Sequence, residues 1–381
     1  MVNGIYLDNA ATTFPKPKIV TQAVNDCLCN YAANPKRGTS PLVKVANEQL
    51  ELARTALAKH LGCATEQLIF VPSATFGINQ VIQGYPLRAG DNIYLSPFEH
   101  NAVARSAEFL REMKGVEVRP LPMDRACNLD IEETHRWFSA KPPRLVAITH
   151  ASNVTGDILP IERVIELAHK HGGKVLIDGA QTVGVYTPRL DEYDYDFLAF
   201  SSHKGLYGIP GAGGLVIKSG GLELMPIVFG GTGINSEELT MPDSAPERFE
   251  AGTHSLPAIV SMRAGLEWLQ GVGFETVRSR AAGLCEELIA ELEVLPGARV
   301  VGRQSPHGNT GVVSLVFDWV TPQEVGAMLD SEGISVRAGL HCAPLAHTAF
   351  GTMPNGTVRI SPSYFSARED LAKLLATLMN M

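Results

Sequence analysis

Short, almost entirely apolar segments alternate with longer helical segments over the first two thirds of the chain. LIFV at 68–71, RLVAITH at 144–150 and DFLAFSSH at 196–203 are typical of strands, since few polar residues interrupt them before their carboxyl ends. An amphipathic helical segment at 161–173 lies between two such strands. Strands that are apolar on both faces and are joined by helices pack into a mainly parallel sheet covered on both sides. We therefore predict an α/β fold.

The remaining elements extend this pattern and change it near residue 256. Further strands are predicted at 92–96, 116–122, 174–181 and 213–218, and further helices at 41–61, 73–84 and 101–115. Beyond 256 we predict helices at 256–271 and 274–295, strands at 298–302, 311–317 and 334–339, and a last helix at 367–380. This grouping indicates a smaller α+β unit. The irregular segment 219–253 is typical of a functional loop or a subunit contact.

Charge, apolar runs and cysteine spacing exclude several classes of protein. Forty acidic and 32 basic side chains give a formal charge of −8 without a dense basic run, so we predict no binding to nucleic acid. No apolar run is long enough to cross a bilayer, and the amino-terminal residues do not resemble a secretory signal. Six cysteines without a Cys-x-x-Cys pair indicate reduced thiols, a cytoplasmic location and no bound metal.

Two charged residues stand where apolar strands end. Lys204 follows one strand and precedes a glycine-rich turn, and Asp178 ends the apolar run KVLID. Burial lowers the pKa of a lysine, and a neutral amine can attack an aldehyde. A carboxylate such as Asp178 can pair with the protonated ring nitrogen of a cofactor. Each residue also has a plainer explanation, a surface lysine that begins a loop and an aspartate that caps a helix.

Three more segments place polar groups next to predicted strands. Ser73, Ala74 and Thr75 precede a helix, whose first N–H groups can bind a phosphate. His100 can stack on a flat cofactor and move protons. Arg359 can hold an α-carboxylate. An ordinary helix cap, a structural histidine and a surface ion pair are the respective alternatives.

Cys342 lies in ISVRAGLHCAPLAH, a segment that we expect to form an exposed loop. A thiol near arginine or histidine in a polar loop can hold thiolate character and act as a nucleophile. The alternative is a small buried residue, as we expect for the other five cysteines. No single feature is decisive, but together these groups describe one site for an amino acid bound to an aldehyde cofactor.

The combination resembles a known group of enzymes. The segments that carry the resemblance are EHNAV, HASNVTG, DGAQTVG, SSHKGLYG, RFEAGT and VRAGLHCAP, between YLDNAATT near the start and GTVRISPSYFSAREDL near the end. They resemble the cysteine desulfurase and selenocysteine lyase group of the class-V aminotransferase-like enzymes, which use pyridoxal 5′-phosphate (PLP). The resemblance implies the PLP-dependent transferase fold type I, with a seven-stranded, mainly parallel sheet. It implies a large domain at 13–257 and a small α+β domain, with the Cys342 loop, at 258–381 together with 1–12.

The resemblance also assigns residues to the cofactor ring. Lys204 would bind the PLP aldehyde covalently, Asp178 would hold the pyridine nitrogen, and Gln181 would bond the ring hydroxyl. His100 would stack on the ring and take part in catalysis, and Asn153 would also contact the cofactor.

A second set would bind the cofactor phosphate. Ala74, Thr75, Ser201 and His203 would do so from the same chain. Thr253 would reach the phosphate of a neighbouring subunit. This last assignment requires a homodimer with shared active sites.

The implied reaction converts L-cysteine to L-alanine. Arg359 and Asn153 would hold the substrate carboxylate, with Arg37 close to the same pocket, and Lys204 would take the α-proton. Cys342 would receive the sulfur as a persulfide and pass it to an acceptor protein. The alternatives are a selenocysteine lyase or cysteine-sulfinate lyase, another class-V aminotransferase-like enzyme or epimerase, and a non-catalytic scaffold.

Overall fold

Alternating strands and helices build the part of the chain that the computed structural model describes, residues 4–186, 192–218, 224–234, 237–302, 305 and 307–380. Its strands are β1 (Ile5–Tyr6), β2 (Leu68–Val71), β3 (Asn92–Leu95), β4 (Glu117–Pro120), β5 (Pro143–Thr149), β6 (Lys174–Asp178), β7 (Phe197–Ser201), β8 (Gly213–Ile217), β9 (Ala298–Val301), β10 (Val313–Phe317), β11 (Ile334–Ser335), β12 (Arg337–Gly339) and β13 (Thr357–Ile360). Its α-helices are α1 (Lys18–Asp26), α2 (Pro41–Leu61), α3 (Ala74–Gly84), α4 (Asn101–Lys114), α5 (Ile131–Ala140), α6 (Ile161–Lys170), α7 (Leu256–Val272), α8 (Phe274–Leu292), α9 (Pro322–Ser331), α10 (Pro344–Ala349) and α11 (Arg368–Met379).

Seven strands form the central sheet in the order β2-β8-β7-β6-β5-β3-β4. β8 runs antiparallel to both of its neighbours, and the other adjacent pairs are parallel. Successive residues of one strand join different apolar clusters, Val146 and Ile148 in one, Leu145 and Ala147 in the other. Because successive side chains point to opposite faces, both faces of the sheet are covered with apolar residues. The predicted α/β fold with a mainly parallel seven-stranded sheet is confirmed.

A second sheet has the order β12-β13-β10-β9, with every adjacent pair antiparallel. The prediction of one strand at 334–339 is wrong in one respect, because this segment forms two short strands that belong to different sheets. β11 pairs in parallel with β1, whereas β12 pairs with β13. An apolar pattern does not reveal a change of hydrogen-bonding partner within a segment, which is why the sequence predicts one strand. The domain division at 257 and 258 stays a prediction.

The helices follow the sequence pattern closely. α2 spans the predicted 41–61, where Ser40 Oγ accepts a hydrogen bond from the Val43 N–H and Gly62, at φ 62°, ends the helix. Only glycine adopts this left-handed conformation without steric cost. No helix in the described ranges is both long and apolar enough to cross a membrane.

The irregular segment predicted at 219–253 falls partly outside the described residues, at 219–223 and 235–236. The described remainder contains a short helical turn at Glu247–Phe249. The residue that follows it, Glu250, has a buried carboxylate.

Glu250 joins four separate segments through its carboxylate. Arg54 donates to it from Nη1 at 2.8 Å and from Nη2 at 3.0 Å, and the Phe70 N–H donates at 2.8 Å. Lys36 Nζ lies 3.3 Å and His254 Nε2 3.1 Å from the same group. Burial by itself raises the pKa of Glu250, but the hydrogen bond to His254 and the charge and hydrogen bonds of Arg54 lower it to about 2.

Glu250→Ala is expected to lower the free energy of unfolding by about 3–5 kcal/mol, because Arg54 would stay buried with only the exposed carboxylate of Glu51, 3.6 Å from its Nε, as a counter-charge. Urea unfolding at pH 7 measures the change. Glu108→Ala, which breaks an exposed pair with Arg111, is the matched control and should change it by less than about 1 kcal/mol. Because the folded pKa of Glu250 is lowered from 4.5 to about 2, its contribution is present above pH 4.5 and is lost as the pH falls through 2. Equal effects of both substitutions would contradict this account.

Candidate active site

A cavity of about 230 Å³ opens at the carboxyl ends of the central strands. Thr149, Asp178 and Ser201 are the last residues of the adjacent strands β5, β6 and β7, and all three line the cavity. Ligands bind at this edge of doubly wound sheets. Most predicted site residues line the same space, namely Ala74, Thr75, His100, Asn153, Asp178, Gln181, Ser201, His203, Lys204 and Arg359.

Asp178 and Lys204 are two opposite charges in this cavity. Asp178 Oδ1 accepts a hydrogen bond from the Ala180 N–H at 2.9 Å, and its Oδ2 has no hydrogen bond within the described residues. Burial raises the pKa of Asp178, while the Ala180 N–H and the charge on Lys204 oppose the rise. Burial lowers the pKa of Lys204 to about 8, and the carboxylate of Asp178 limits the fall. A fraction of neutral amine is therefore present near neutral pH.

The amino-terminal end of α3 offers a site for an anion. Ser73 caps this helix, its Oγ accepting from the Phe76 N–H at 3.3 Å. Ser201 Oγ accepts from the Ala74 N–H at 3.1 Å, which ties the helix end to β7. The exposed Thr75 follows in the first turn. Because the first N–H groups of a helix lack partners inside it, this end attracts negative charge.

Two histidines of the cavity are neutral at pH 7. His100 caps α4, and its Nδ1 accepts from the Ala102 N–H at 3.0 Å, so the ring hydrogen is on Nε2. Burial and the nearby charge of Lys204 lower the pKa of His100 to about 4. The same two causes lower the pKa of His203 to about 4. The buried Nδ1 of His203 has no partner in the described part of the chain, which leaves it available to a ligand.

Arg359 is the most deeply buried cation of the cavity, with 1% of its surface exposed. Its Nη1 donates to the Asn153 backbone oxygen at 2.9 Å, and its Nη2 donates to Asp8 Oδ1 at 2.6 Å. Its buried Nε has no partner among the described residues. One donor of the guanidinium is thus free for a further acceptor, as a carboxylate site requires.

Cys342 lies in the four-residue turn 340–343, which we call the Cys342 turn. Its thiol is exposed, and Sγ accepts a hydrogen bond from Arg337 Nη2 at 3.3 Å. Arg337 lines the cavity together with Lys204. The turn is held from the other side by the Asn101 N–H, which donates to the Cys342 backbone oxygen at 2.7 Å. The predicted exposed segment is therefore fixed next to the cavity.

The other cysteines are less uniform than the sequence suggests. Cys27 and Cys285 are buried, and Cys63 and Cys127 are half-buried, but Cys29 is exposed, so the expectation of buried fillers is wrong for it. None of the six cysteines forms a disulfide bond. Across the described ranges, no group of three or more His, Cys, Asp or Glu side chains is arranged to hold a metal ion.

Arg37 and Thr253 do not line this cavity. Both are exposed, and Thr253 Oγ1 accepts from Asn34 Nδ2 at 3.4 Å. The Arg37 guanidinium packs on Gly231, where a Cβ atom would lie 2.7 Å from Nη2. The Gly252 N–H donates to the Gly231 oxygen at 2.9 Å, so both predicted residues belong to one surface patch. Arg37, which was expected close to the substrate pocket, thus lies outside this cavity, whereas the role expected for Thr253 concerns a neighbouring subunit.

The amino-terminal segment closes the site, which sequence reasoning missed. Gln181 Nε2 donates to the Ala10 oxygen at 3.0 Å. The His203 backbone oxygen accepts from the Thr13 N–H at 3.1 Å and from Lys16 Nζ at 3.0 Å. Burial lowers the pKa of Lys16 to about 8. These contacts fix the peptide bond that joins His203 to the lysine after it.

Three residues of the site were thus missed by the sequence analysis. Asp8 pairs with Arg359, Arg337 contacts Cys342, and Lys16 holds the backbone before Lys204. A signal existed for two of them, because YLDNAATT and VRAGLHCAP carry the resemblance and contain Asp8 and Arg337. A shared segment does not by itself give a residue its role.

Comparisons with known proteins agree over nearly the whole chain. Residues 5–374 match the sequence model of the family described as aminotransferase class-V. A probable cysteine desulfurase from Vibrio cholerae is 35% identical over 389 residues, which cover 99% of this chain and 94% of that protein. The chain therefore belongs to the class-V aminotransferase family, and the predicted resemblance to its cysteine desulfurase group is confirmed.

Solved structures agree with this placement. The apo structure of a cysteine desulfurase from Thermococcus onnurineus NA1 superposes with a TM-score of 0.91 at 29% identity, over 99% of this chain and 94% of that one. The S-sulfonic acid form of the cysteine desulfurase CsdA from Escherichia coli superposes with a TM-score of 0.88 at 28% identity, with the same shares covered. These neighbours confirm the predicted PLP fold type I.

The enzymes of this family depend on PLP, which confirms the predicted cofactor. The groups in the cavity fit it. Asp178 Oδ2 is available for a ring nitrogen, and Lys204 supplies an amine of lowered pKa for an aldehyde. The Nδ1 of His203 and the Thr75 N–H have no partner within the described residues and are available for a phosphate, whereas the Ala74 and Phe76 N–H groups donate to Ser201 Oγ and Ser73 Oγ.

The lowered pKa of Lys204 is directly measurable in cofactor-free protein. Reductive methylation with formaldehyde and cyanoborohydride, followed by peptide mass spectrometry, should reach half its maximal rate at Lys204 near pH 8. Exposed lysines in the same digest serve as the control and should reach half of their maximal methylation rate near pH 10.4. In Asp178→Asn the Lys204 midpoint should fall further, because the carboxylate that favours the charged amine is gone. A midpoint at Lys204 equal to that of the exposed lysines would contradict this account.

Proposed function

We propose that the protein is a cysteine desulfurase, which converts L-cysteine to L-alanine and receives the sulfur as a persulfide on Cys342. One contact carries the proposal. Arg337 Nη2 donates to Cys342 Sγ at 3.3 Å, and Arg337 lines the same cavity as Lys204, so one arginine links the exposed thiol to the cavity that contains the amine. The relatives named as cysteine desulfurases support the same reaction.

We infer that the cofactor is held by residues on the carboxyl edge of the sheet. When bound, PLP supplies an aldehyde that combines with amines and a cationic ring that withdraws electrons from the substrate α-carbon. Asp178 keeps the ring nitrogen protonated by its negative charge. The other residues that we assign to the cofactor are Ala74, Thr75, His100, Asn153, Gln181, Ser201, His203 and Lys204, with Thr253 from a second subunit.

Lys204 is the group that moves the substrate α-proton. Its pKa of about 8 lets the amine accept a proton and return it at nearly neutral pH. His100 is neutral beside it, because burial lowers its pKa to about 4, so a stacked imidazole adds no positive charge.

Arg359 and Asn153 hold the carboxylate of L-cysteine in this proposal. Arg359 is fixed by Asp8 and by the Asn153 backbone, and its free Nε can donate to the substrate. The buried guanidinium favours an anion, since it would otherwise be only partly neutralised.

Cys342 then takes the sulfur. The Cβ–S bond of L-cysteine breaks, a new S–S bond forms at Cys342 Sγ, and a proton replaces sulfur on the carbon that becomes the alanine methyl group. The reaction of one thiol with one L-cysteine gives one persulfide and one L-alanine, so no external oxidant or reductant is needed. Because the sulfur of Cys342 is exposed, an acceptor protein can reach it.

The assembled enzyme is a homodimer with shared active sites in this proposal. Arg37 and Thr253 are exposed, lie in one patch and do not line their own cavity, which supports a role for both in a second subunit. We retain the division into domains at 13–257 and 258–381 with 1–12. The cytoplasmic location stays a prediction, and the absence of disulfide bonds among the six cysteines supports it.

Cys342→Ala is expected to abolish both alanine formation from L-cysteine and the added sulfur, because Cys342 is the thiol that Arg337 contacts at the edge of the cavity. Mass spectrometry of the protein after incubation with L-cysteine measures the persulfide, and an amino-acid assay measures alanine. Cys29→Ala removes another exposed thiol and is the matched control, which should keep both. If Cys342→Ala forms alanine from L-cysteine at the unchanged rate, the proposed role of this residue is wrong.

Selenocysteine and cysteine sulfinate are two further substrates for the same variant. Release of selenium or sulfite from them that persists in Cys342→Ala, together with no desulfuration of L-cysteine by the wild-type protein, would favour the selenocysteine lyase or cysteine-sulfinate lyase alternative.

Shared sites predict complementation between two inactive subunits. One subunit carries Lys204→Ala and the other carries Arg37→Ala with Thr253→Ala, and the two are co-expressed with different tags and purified as a mixed dimer. One of the two sites then contains none of the substitutions, so the mixed dimer should regain about half of the wild-type activity. Activity no greater than the mean of the two variant homodimers would contradict the sharing of sites.

A further inference from the structure

The Cys342 turn has an unfavourable backbone conformation. The Ala343 N–H donates to the Leu340 oxygen at 2.8 Å and closes the turn. Its two central residues, His341 and Cys342, have φ of 48° and 57°. Positive φ at both central positions is the pattern of a type I′ turn, which glycine, asparagine and aspartate favour. For other residues it is strained and persists only where the surroundings hold it.

Several contacts hold this turn closed from outside, among them that of Arg337 Nη2 with Cys342 Sγ at 3.3 Å. Asn153 Nδ2 donates to the His341 oxygen at 2.8 Å, and the Asn101 N–H donates to the Cys342 oxygen at 2.7 Å. The buried imidazole of His341 contacts Thr357 Oγ1 through Nε2 at 2.9 Å. The Asn153 bond therefore acts on the peptide unit between the two strained residues.

Asn153 is also part of the cavity. Its side chain is 7% exposed and lines the cavity next to Lys204, and its backbone oxygen accepts from Arg359 Nη1. The bond to His341 is the only hydrogen bond of its side chain within the described residues. One buried amide thus connects the carboxylate site to the backbone of the nucleophile.

We propose that Asn153 is a positioning residue for the nucleophile, whose side-chain amide holds the strained Cys342 turn and so fixes Cys342 Sγ beside the cavity. This role goes beyond the substrate and cofactor contacts assigned to Asn153 above. It rests on the proposed function only for what the sulfur of Cys342 does.

Amide hydrogen exchange of the holoenzyme without substrate tests the proposal. In Asn153→Ala, exchange at the Ala343 and Asn101 amides should become about tenfold faster, the factor expected when one such hydrogen bond is lost. The amides of α11 are the internal control and should not change. Asn153→Asp keeps the side-chain volume but loses the Nδ2 donor, so it should accelerate the same two amides. This variant serves as the test if Asn153→Ala does not fold.

The substitution His341→Gly separates this role from a general structural one. Glycine adopts positive φ without steric cost, so His341→Gly should hold the turn with less help. In that background Asn153→Ala should change exchange at Ala343 by less than about threefold, and single-turnover persulfide formation on Cys342 should recover in part.

Two results would overturn the proposal. One is exchange at Ala343 and Asn101 that is unchanged in both Asn153 variants, which would leave Asn153 as a substrate and cofactor contact only. The other is an equal effect of Asn153→Ala in the wild-type and His341→Gly backgrounds. Because the exchange measurement uses no substrate, its failure is distinct from a failure of the desulfurase reaction.

Discussion

Asp178 and Lys204 carry opposite charges in one cavity, and the rest of the site depends on this pair. The two residues end or follow adjacent parallel strands, β6 and β7, so the sheet itself brings them to one edge. Beyond that edge, a Cβ atom on Gly184 would lie 2.4 Å from the backbone of Gly205. Only glycine lets these two loops touch, and the contact keeps the aspartate and the lysine next to each other.

The groups around this pair come from distant parts of the chain. Arg337 and Arg359 belong to β12 and β13 of the second sheet, while the amino-terminal segment supplies Asp8 and Lys16. Buried cations need partners, and Asp8 limits the cost of burying Arg359. The thiol of Cys342 approaches the cavity from the same side of the molecule as the two arginines, since Arg337 contacts it directly.

Much of the fold and many of the site residues can be predicted from the sequence for a physical reason. Buried strands must be apolar, so a charged residue at a strand end, such as Asp178 or Lys204, is conspicuous. Contacts between residues far apart in the sequence leave no such mark. Nothing local predicts that Asp8 pairs with Arg359, that 334–339 divides between two sheets, or that Asn153 holds the backbone at His341. Partners of this kind depend on how the sheets pack.

The central claim is that Lys204 is the amine to which the cofactor aldehyde binds. Reduction of the purified holoenzyme with borohydride, followed by proteolysis and peptide mass spectrometry, measures this directly. The account predicts a phosphopyridoxyl group on the peptide that contains Lys204, and its absence from the Lys16 peptide, although the pKa of Lys16 is also lowered to about 8. Attachment at Lys16 or at another lysine, or no attachment in a protein of native fold, would contradict it.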